Sequence, residues 1–193
     1  MDRIPKEVEP FKRIKDIQKI KQYLKGKDSR RDYTIFVVGI NVGLRAGDLL
    51  SLKWSDVIEN NNIRSTIRIV EEKTKKRKEI ELNKSAKEAL YELRDSVESI
   101  QLNDYIFNSR KGKDHLQVRS LHRIINDTVK ELNIKGNYGT HSLRKSFAYH
   151  RYMNNISLET IQKVLNHSTQ SQTLRYIGIT KEVIQDAYNS VNL

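Results

Sequence analysis

The stretch YTIFVVGINVGL, residues 33–44, constrains the fold more than any other part of this chain. A run this apolar is stable only in an interior, so the remaining segments must cover it. Its β-branched residues suit a strand as well as a buried helix, and periodicity does not separate the two. RAGDLLSLKW (45–54) follows as a second, short helix. Upstream, Ile14, Ile17, Ile20, Tyr23 and Leu24 recur at helical spacing between Arg13 and Lys25. Ahead of them MDRIPKEVEP reads as extended, because each Pro disfavours helix before it.

Beyond residue 60 the period changes. IRSTIRIV (63–70) alternates, with Ile63, Ser65, Ile67 and Ile69 on one side and Arg64, Thr66 and Arg68 on the other, which is a strand pattern. KEIEL (78–82) alternates too, and EEKTKKR between them forms a charged hairpin. The rest is helical. Ala86, Ala89, Leu90, Leu93 and Val97 mark one helix, and Leu121, Ile124, Ile125, Thr128 and Leu132 another. Leu158, Ile161, Val164 and Leu165 follow Ser157 as N-cap. Val183, Ile184, Ala187 and Val191 follow Thr180 in a terminal amphipathic helix. The expected class is mostly α with a small antiparallel β-sheet.

Charge narrows the partner. Lys and Arg number 36 against 24 Asp and Glu, a net charge of +12 over 193 residues. That balance favours a polyanion, nucleic acid before an acidic membrane surface. No apolar run approaches the roughly 20 residues of a spanning helix, and the N-terminus is not a signal peptide. The absence of Cys excludes disulfides, thiolate catalysis and Cys-ligated zinc. One domain in the cytoplasm, with nucleic acid as the favoured partner and no membrane, is the expectation.

Breaking a phosphodiester without a metal requires fixed donors for the developing charge, a nucleophile, and an acid for the leaving oxygen. Candidates for each are present, and each alone has a plainer explanation. Arg45 in VGLRAGDLLSL could be one half of a surface pair with Asp48. Lys73, with Lys75, Lys76, Arg77 and Lys78 after it, could be a solvated hairpin tip. His141 and Arg144 in THSLRKSF share a helix face, leaving Leu143 and Phe147 for the core. His167 in VLNHST could be a helix-end polar residue, and Tyr176 a packing residue.

Their order is informative where the single residues are not. Arg45 after GL, a Lys in a β-hairpin, HSLR, LNHS and then Tyr176 before a terminal helix together resemble the catalytic domain of the tyrosine recombinases, the phage-integrase family. The resemblance runs from about Arg13 to the C-terminus and implies that residues 33–44 are a helix. It implies that Arg45 and Arg144 clamp the scissile phosphate, with a hydrogen bond from His167. His141 would be general base or phosphate ligand, and Lys73 the general acid, with Lys75, Lys76 and Lys78 as competitors. Tyr176 would attack to leave a 3′-phosphotyrosyl bond, with no metal, cofactor or ATP. Asp48 would orient its neighbours, and Lys75, Lys76, Arg77 and Lys145 would contact DNA phosphates. The family also implies double-stranded DNA as the partner and a tetramer on it in which the C-terminal helix, 180–191, is exchanged between protomers.

On this resemblance residues 1–12 are a lead-in or linker and 13–193 the catalytic domain, without the family's usual N-terminal DNA-clamping domain. Two features depart from the family: Asn166 stands where a Gly before the His is common, and the hairpin has no Gly at its turn. A type IB topoisomerase-like nicking–closing enzyme and a non-catalytic DNA-binding regulator on the same fold are the alternatives. If His141 meets phosphate as a cation, binding should weaken as pH rises through its titration.

Overall fold

Ile17, Ile20 and Leu24 line the inner face of the first helix, α1 (Ile14–Gly26), while Ile14, in the same periodic set, is 55% exposed. The apolar run is also helical: α2 spans Arg30–Val42 and buries Thr34 through Gly39 as well as Val42. It lies at the centre, packed against α1, α5 (Lys84–Arg94) and α7 (Thr140–Met153). A helix covered on nearly every side needs no polar stripe, which is why its period was silent in the sequence. The computed structural model describes residues 7–70, 77–109, 113–178, 189 and 190.

After α2 come two short helices, α3 (Ala46–Leu50) and α4 (Trp54–Val57). The expected strand 63–70 is divided between two small antiparallel sheets. Ile63 belongs to β2 (Asn62–Ile63), paired with β1 (Ile58–Glu59). Asn60 and Asn61 turn this hairpin with φ of +48° and +60°, a conformation Asn tolerates because its short polar side chain bonds locally. Thr66–Val70 forms β3, paired with β4 (Arg77–Glu81) in a register that sets Ile67 opposite Ile80 and Ile69 opposite Lys78. The alternation of apolar residues is continuous through 63–70, but the pairing partner changes at Arg64, whose N–H bonds the Val57 carbonyl at 2.8 Å.

Helix α6 (Val118–Glu131) buries Leu121, Ile125, Thr128 and Val129 against this main core. Helices α8 (Leu158–Leu165) and α9 (Gln170–Ile177) complete the described residues apart from the last two. Ser157 caps α8 as expected, its Oγ accepting the Thr160 N–H. α7, α8 and α9 share a second, smaller apolar cluster of Phe147, Ala148, Ile161, Leu165 and Ile177, on which Tyr176 rests. The mostly α class with small antiparallel sheets is the one expected. The terminal helix 180–191 lies outside the described residues except for Asn189 and Ser190.

From Glu7 onward the lead-in is non-helical, but it is docked. Phe11 is 1% exposed and stacks on Tyr138 with ring centroids 4.4 Å apart. Its N–H donates to Ser146 Oγ at 2.7 Å, and its carbonyl lies 2.8 Å from His150 Nε2.

Candidate active site

Three helix termini meet at the candidate residues. α2 ends on Gly43, left-handed with φ +65°, where a Cβ would fall 2.6 Å from the Phe147 ring. Glycine is required there on both counts. The chain then buries Leu44 and emerges at Arg45, the extended residue preceding α3. Asp48, 5% exposed, places Oδ2 3.9 Å from an Arg45 terminal nitrogen. The Arg45–Asp48 pair is therefore real, but it lies at the lip of the site and not on open surface.

α7 brings the HSLR residues to the same place. Gly139 N–H donates to Ser142 Oγ at 3.0 Å, fixing the first turn, and His141 stands at its rim. Arg144, one turn on, is 3% exposed. Its two terminal nitrogens donate to the Gly43 carbonyl at 2.7 Å and the Leu165 carbonyl at 2.6 Å. These bonds orient the guanidinium fork and join the end of α2 to the end of α8. Leu143 and Phe147, 2% and 5% exposed, face the core as expected.

α8 ends on Asn166, left-handed with φ +54°. This accounts for the departure from Gly: the position needs a residue that tolerates the left-handed region, and Asn does. His167 follows, its Nδ1 3.1 Å from the fully buried Thr173 hydroxyl. Burial, then the charges of Arg144, Arg45 and Lys78, push the His167 imidazole down to about 4.

α9 carries Tyr176 back over α7. The phenol oxygen lies 3.4 Å from His141 Nδ1. The His167 ring meets the Tyr176 ring edge-on at 4.9 Å and 74°. Burial raises the phenol pKa, the charges of Arg144 and Arg45 and a hydrogen bond from Arg144 pull it back, and Glu7 raises it again. His141 is lowered by desolvation of its ring and by Arg144, Lys145 and Arg45. These effects favour the neutral imidazole over the cation that phosphate binding by charge would use.

Arg45, His141, Arg144, His167 and Tyr176 thus converge within one chain. Lys73, Lys75 and Lys76 lie outside the described residues, and Arg77 opens β4 opposite Val70. Lys78 does reach the site: its ammonium donates to the Val164 carbonyl at the end of α8. Lys145 does not stand on the surface as a phosphate contact would. It is 4% exposed, bonded to Glu7 at 2.6 Å, with Nζ 5.3 Å from the Tyr176 ring centre. Sequence reading overlooked Glu7, Thr173 and the Gly43 and Leu165 carbonyls. Only Thr173, a buried-type spacing three residues before Tyr176, left any local signal.

Known proteins resemble this chain in sequence and in fold. The sequence profile of the phage integrase family matches residues 11–182. The chain is 35% identical over 181 residues to a probable integrase/recombinase, YoeC, of Bacillus subtilis, covering 94% of this chain and 95% of that protein. It is 28% identical to the tyrosine recombinase XerC of Pediococcus pentosaceus over 84% of this chain, but spans only 54% of that relative. Among solved structures, XerA recombinase superposes with a TM-score of 0.74 at 23% identity, covering 98% of this chain and 66% of that one. XerH recombinase in a post-cleavage complex with its difH substrate superposes at 0.70 and 20% identity, covering 94% of this chain and 53% of that one.

Proposed function

Given that the chain belongs to the phage integrase family of tyrosine recombinases, we propose that Tyr176 cuts site-specific duplex DNA and that the same residues rejoin it. The observation that carries this reading is the phenol oxygen of Tyr176 at 3.4 Å from His141 Nδ1, in the field of Arg144 and Arg45. A neutral imidazole can take the phenol proton as the oxygen attacks phosphorus. The P–O5′ bond breaks, the 5′ oxygen gains a proton from Lys73, and the 3′ phosphate stays bonded to Tyr176. Arg45 and Arg144 stabilise the charge that grows on the non-bridging oxygens, and His167 donates a further hydrogen bond.

Attack by a 5′ hydroxyl from a second duplex reverses these steps. Phosphodiester energy is retained in the covalent bond, so the cycle needs neither ATP nor a metal. Lys75, Lys76 and Arg77 contact backbone phosphates, and Asp48 holds Arg45. Exchange of strands between two duplexes calls for a tetramer, with segment 180–191 passing between protomers. Among the described residues no helix is long and apolar enough to cross a membrane, and action on DNA is consistent with the cytoplasm.

A nicked suicide substrate tests the proposal. Wild type should form a covalent adduct that survives denaturation. Tyr176→Phe should form none while still binding DNA. An adduct that persists in Tyr176→Phe, or none in wild type on any bound site, would overturn it.

A further inference from the structure

Lys145 is unusual in placement. A lysine ammonium is strongly hydrated, and burying one is costly unless it is paired. Here the side chain is 5% exposed, and its partner, the Glu7 carboxylate at 2.6 Å, comes from a segment 138 positions earlier in the chain. That segment is itself fastened at several points. Glu9 N–H donates to the Asn137 carbonyl at 2.8 Å, and Asn137 Nδ2 to the Glu7 carbonyl at 3.2 Å. The bonds from Phe11 to Ser146 and His150 complete the attachment to α7. Glu7–Phe11 is therefore a strap along the helix that bears His141 and Arg144.

What the paired ammonium faces is the ring of Tyr176, at 5.3 Å from its centre, inside the range of a cation–π contact. The ring is then contacted by two groups, Lys145 over its face and His167 in an edge-to-face arrangement. We propose that Lys145, anchored by Glu7, is a positioning residue for Tyr176, holding the phenol in line with His141, rather than a contact to DNA phosphate. Lys145 exchanges no proton in the reaction. Its charge favours the electron-rich phenolate ring over the neutral phenol. The other groups facing the phenol are His141 and Arg144 from α7, His167 from the α8–α9 connection, Arg45 ahead of α3, and Glu7 itself, whose charge opposes ionisation.

The inference rests on Tyr176 being the nucleophile, and the test separates the two. Adduct formation on the suicide substrate is followed against pH for wild type, Lys145→Met, Lys145→Arg and Glu7→Gln, with DNA affinity measured across salt concentration. Lys145→Met should slow adduct formation roughly thirtyfold, the size of a desolvated cation–π contact, and move the alkaline limb of the profile to higher pH. Its Kd and salt dependence should match wild type. Lys145→Arg should recover much of the rate, and Glu7→Gln should move the alkaline limb to lower pH.

A wild-type rate and profile in Lys145→Met overturns the inference. So does weaker binding with a salt slope reduced by about 0.9, the mark of one lost phosphate contact. Should Lys145→Met fail to fold, unchanged pH profiles in both Lys145→Arg and Glu7→Gln overturn it equally. Absence of any adduct in wild type removes the premise instead.

Discussion

His141 Nδ1 and the Tyr176 phenol oxygen lie 3.4 Å apart although 35 positions separate them in the chain. The distance is slightly long for an O–H···N bond, and such contacts commonly tighten only when substrate is bound. The lowered imidazole pKa favours the neutral ring, which has one nitrogen free to accept a proton.

The rate of adduct formation should consequently hold steady near pH 7 and fall as pH drops below the ordinary histidine value of about 6.5. His141→Gln should cost about a hundredfold or more in that rate with little change in DNA affinity. Single-turnover cleavage between pH 5 and 8 checks both. A rate that rises on acidification would assign His141 to cationic phosphate binding.

His167 makes a stability prediction. Its folded pKa, about 4, lies below the unfolded value of about 6.5. Between those pH values the unfolded chain binds more protons than the folded one, so stability falls as pH falls through that window. Above it the penalty is absent. His167→Gln should flatten this part of the Tm–pH curve, measured without DNA. Bound phosphate should move the imidazole pKa upward, which NMR titration of the complex would register.

Gly43→Ala should destabilise the protein by about 2–4 kcal/mol, from left-handed backbone strain and from overlap with the Phe147 ring. The Gly43 carbonyl also holds Arg144, so cleavage should drop beyond what the loss of folded protein explains. Denaturant unfolding and adduct yield per folded molecule separate the two effects.

Asn166 is expected to behave differently. Asn166→Gly should change stability by less than about 0.5 kcal/mol, while Asn166→Ala should cost about 1 kcal/mol, because only the second places an ordinary Cβ in the left-handed region. Equal values for the two would show that the Asn side chain, not its backbone freedom, is what matters at the end of α8.

How far the fold was legible depended on how each element is buried. One-sided helices announce themselves: α1, α5 and α6 place most of the apolar residues read at helical spacing inward, although Ile14 and Val97 are exposed and Val97 lies beyond the end of α5, and Ser157 marks the start of α8. α2 has no solvent face to record a period, so its residues alone left helix and strand open, and only the family resemblance pointed to helix. The split of 63–70 was hidden because alternation continues through a change of partner strand. Asn60–Asn61, a pair suited to positive φ, was the signal of the first hairpin.

The candidate site divides in the same way. Residue types, their order and the excess of positive charge are readable from the chain alone, since they are properties of the chain and survive without coordinates. Folding alone aims Arg144 by the Gly43 and Leu165 carbonyls, sets His141 against a phenol with its pKa lowered, and buries Lys145 against Glu7. Each of these is set by desolvation and by contacts between residues 21 to 138 positions apart. Local periodicity carries no record of such distances, and the dielectric that shifts a proton exists only once the chain has closed around it.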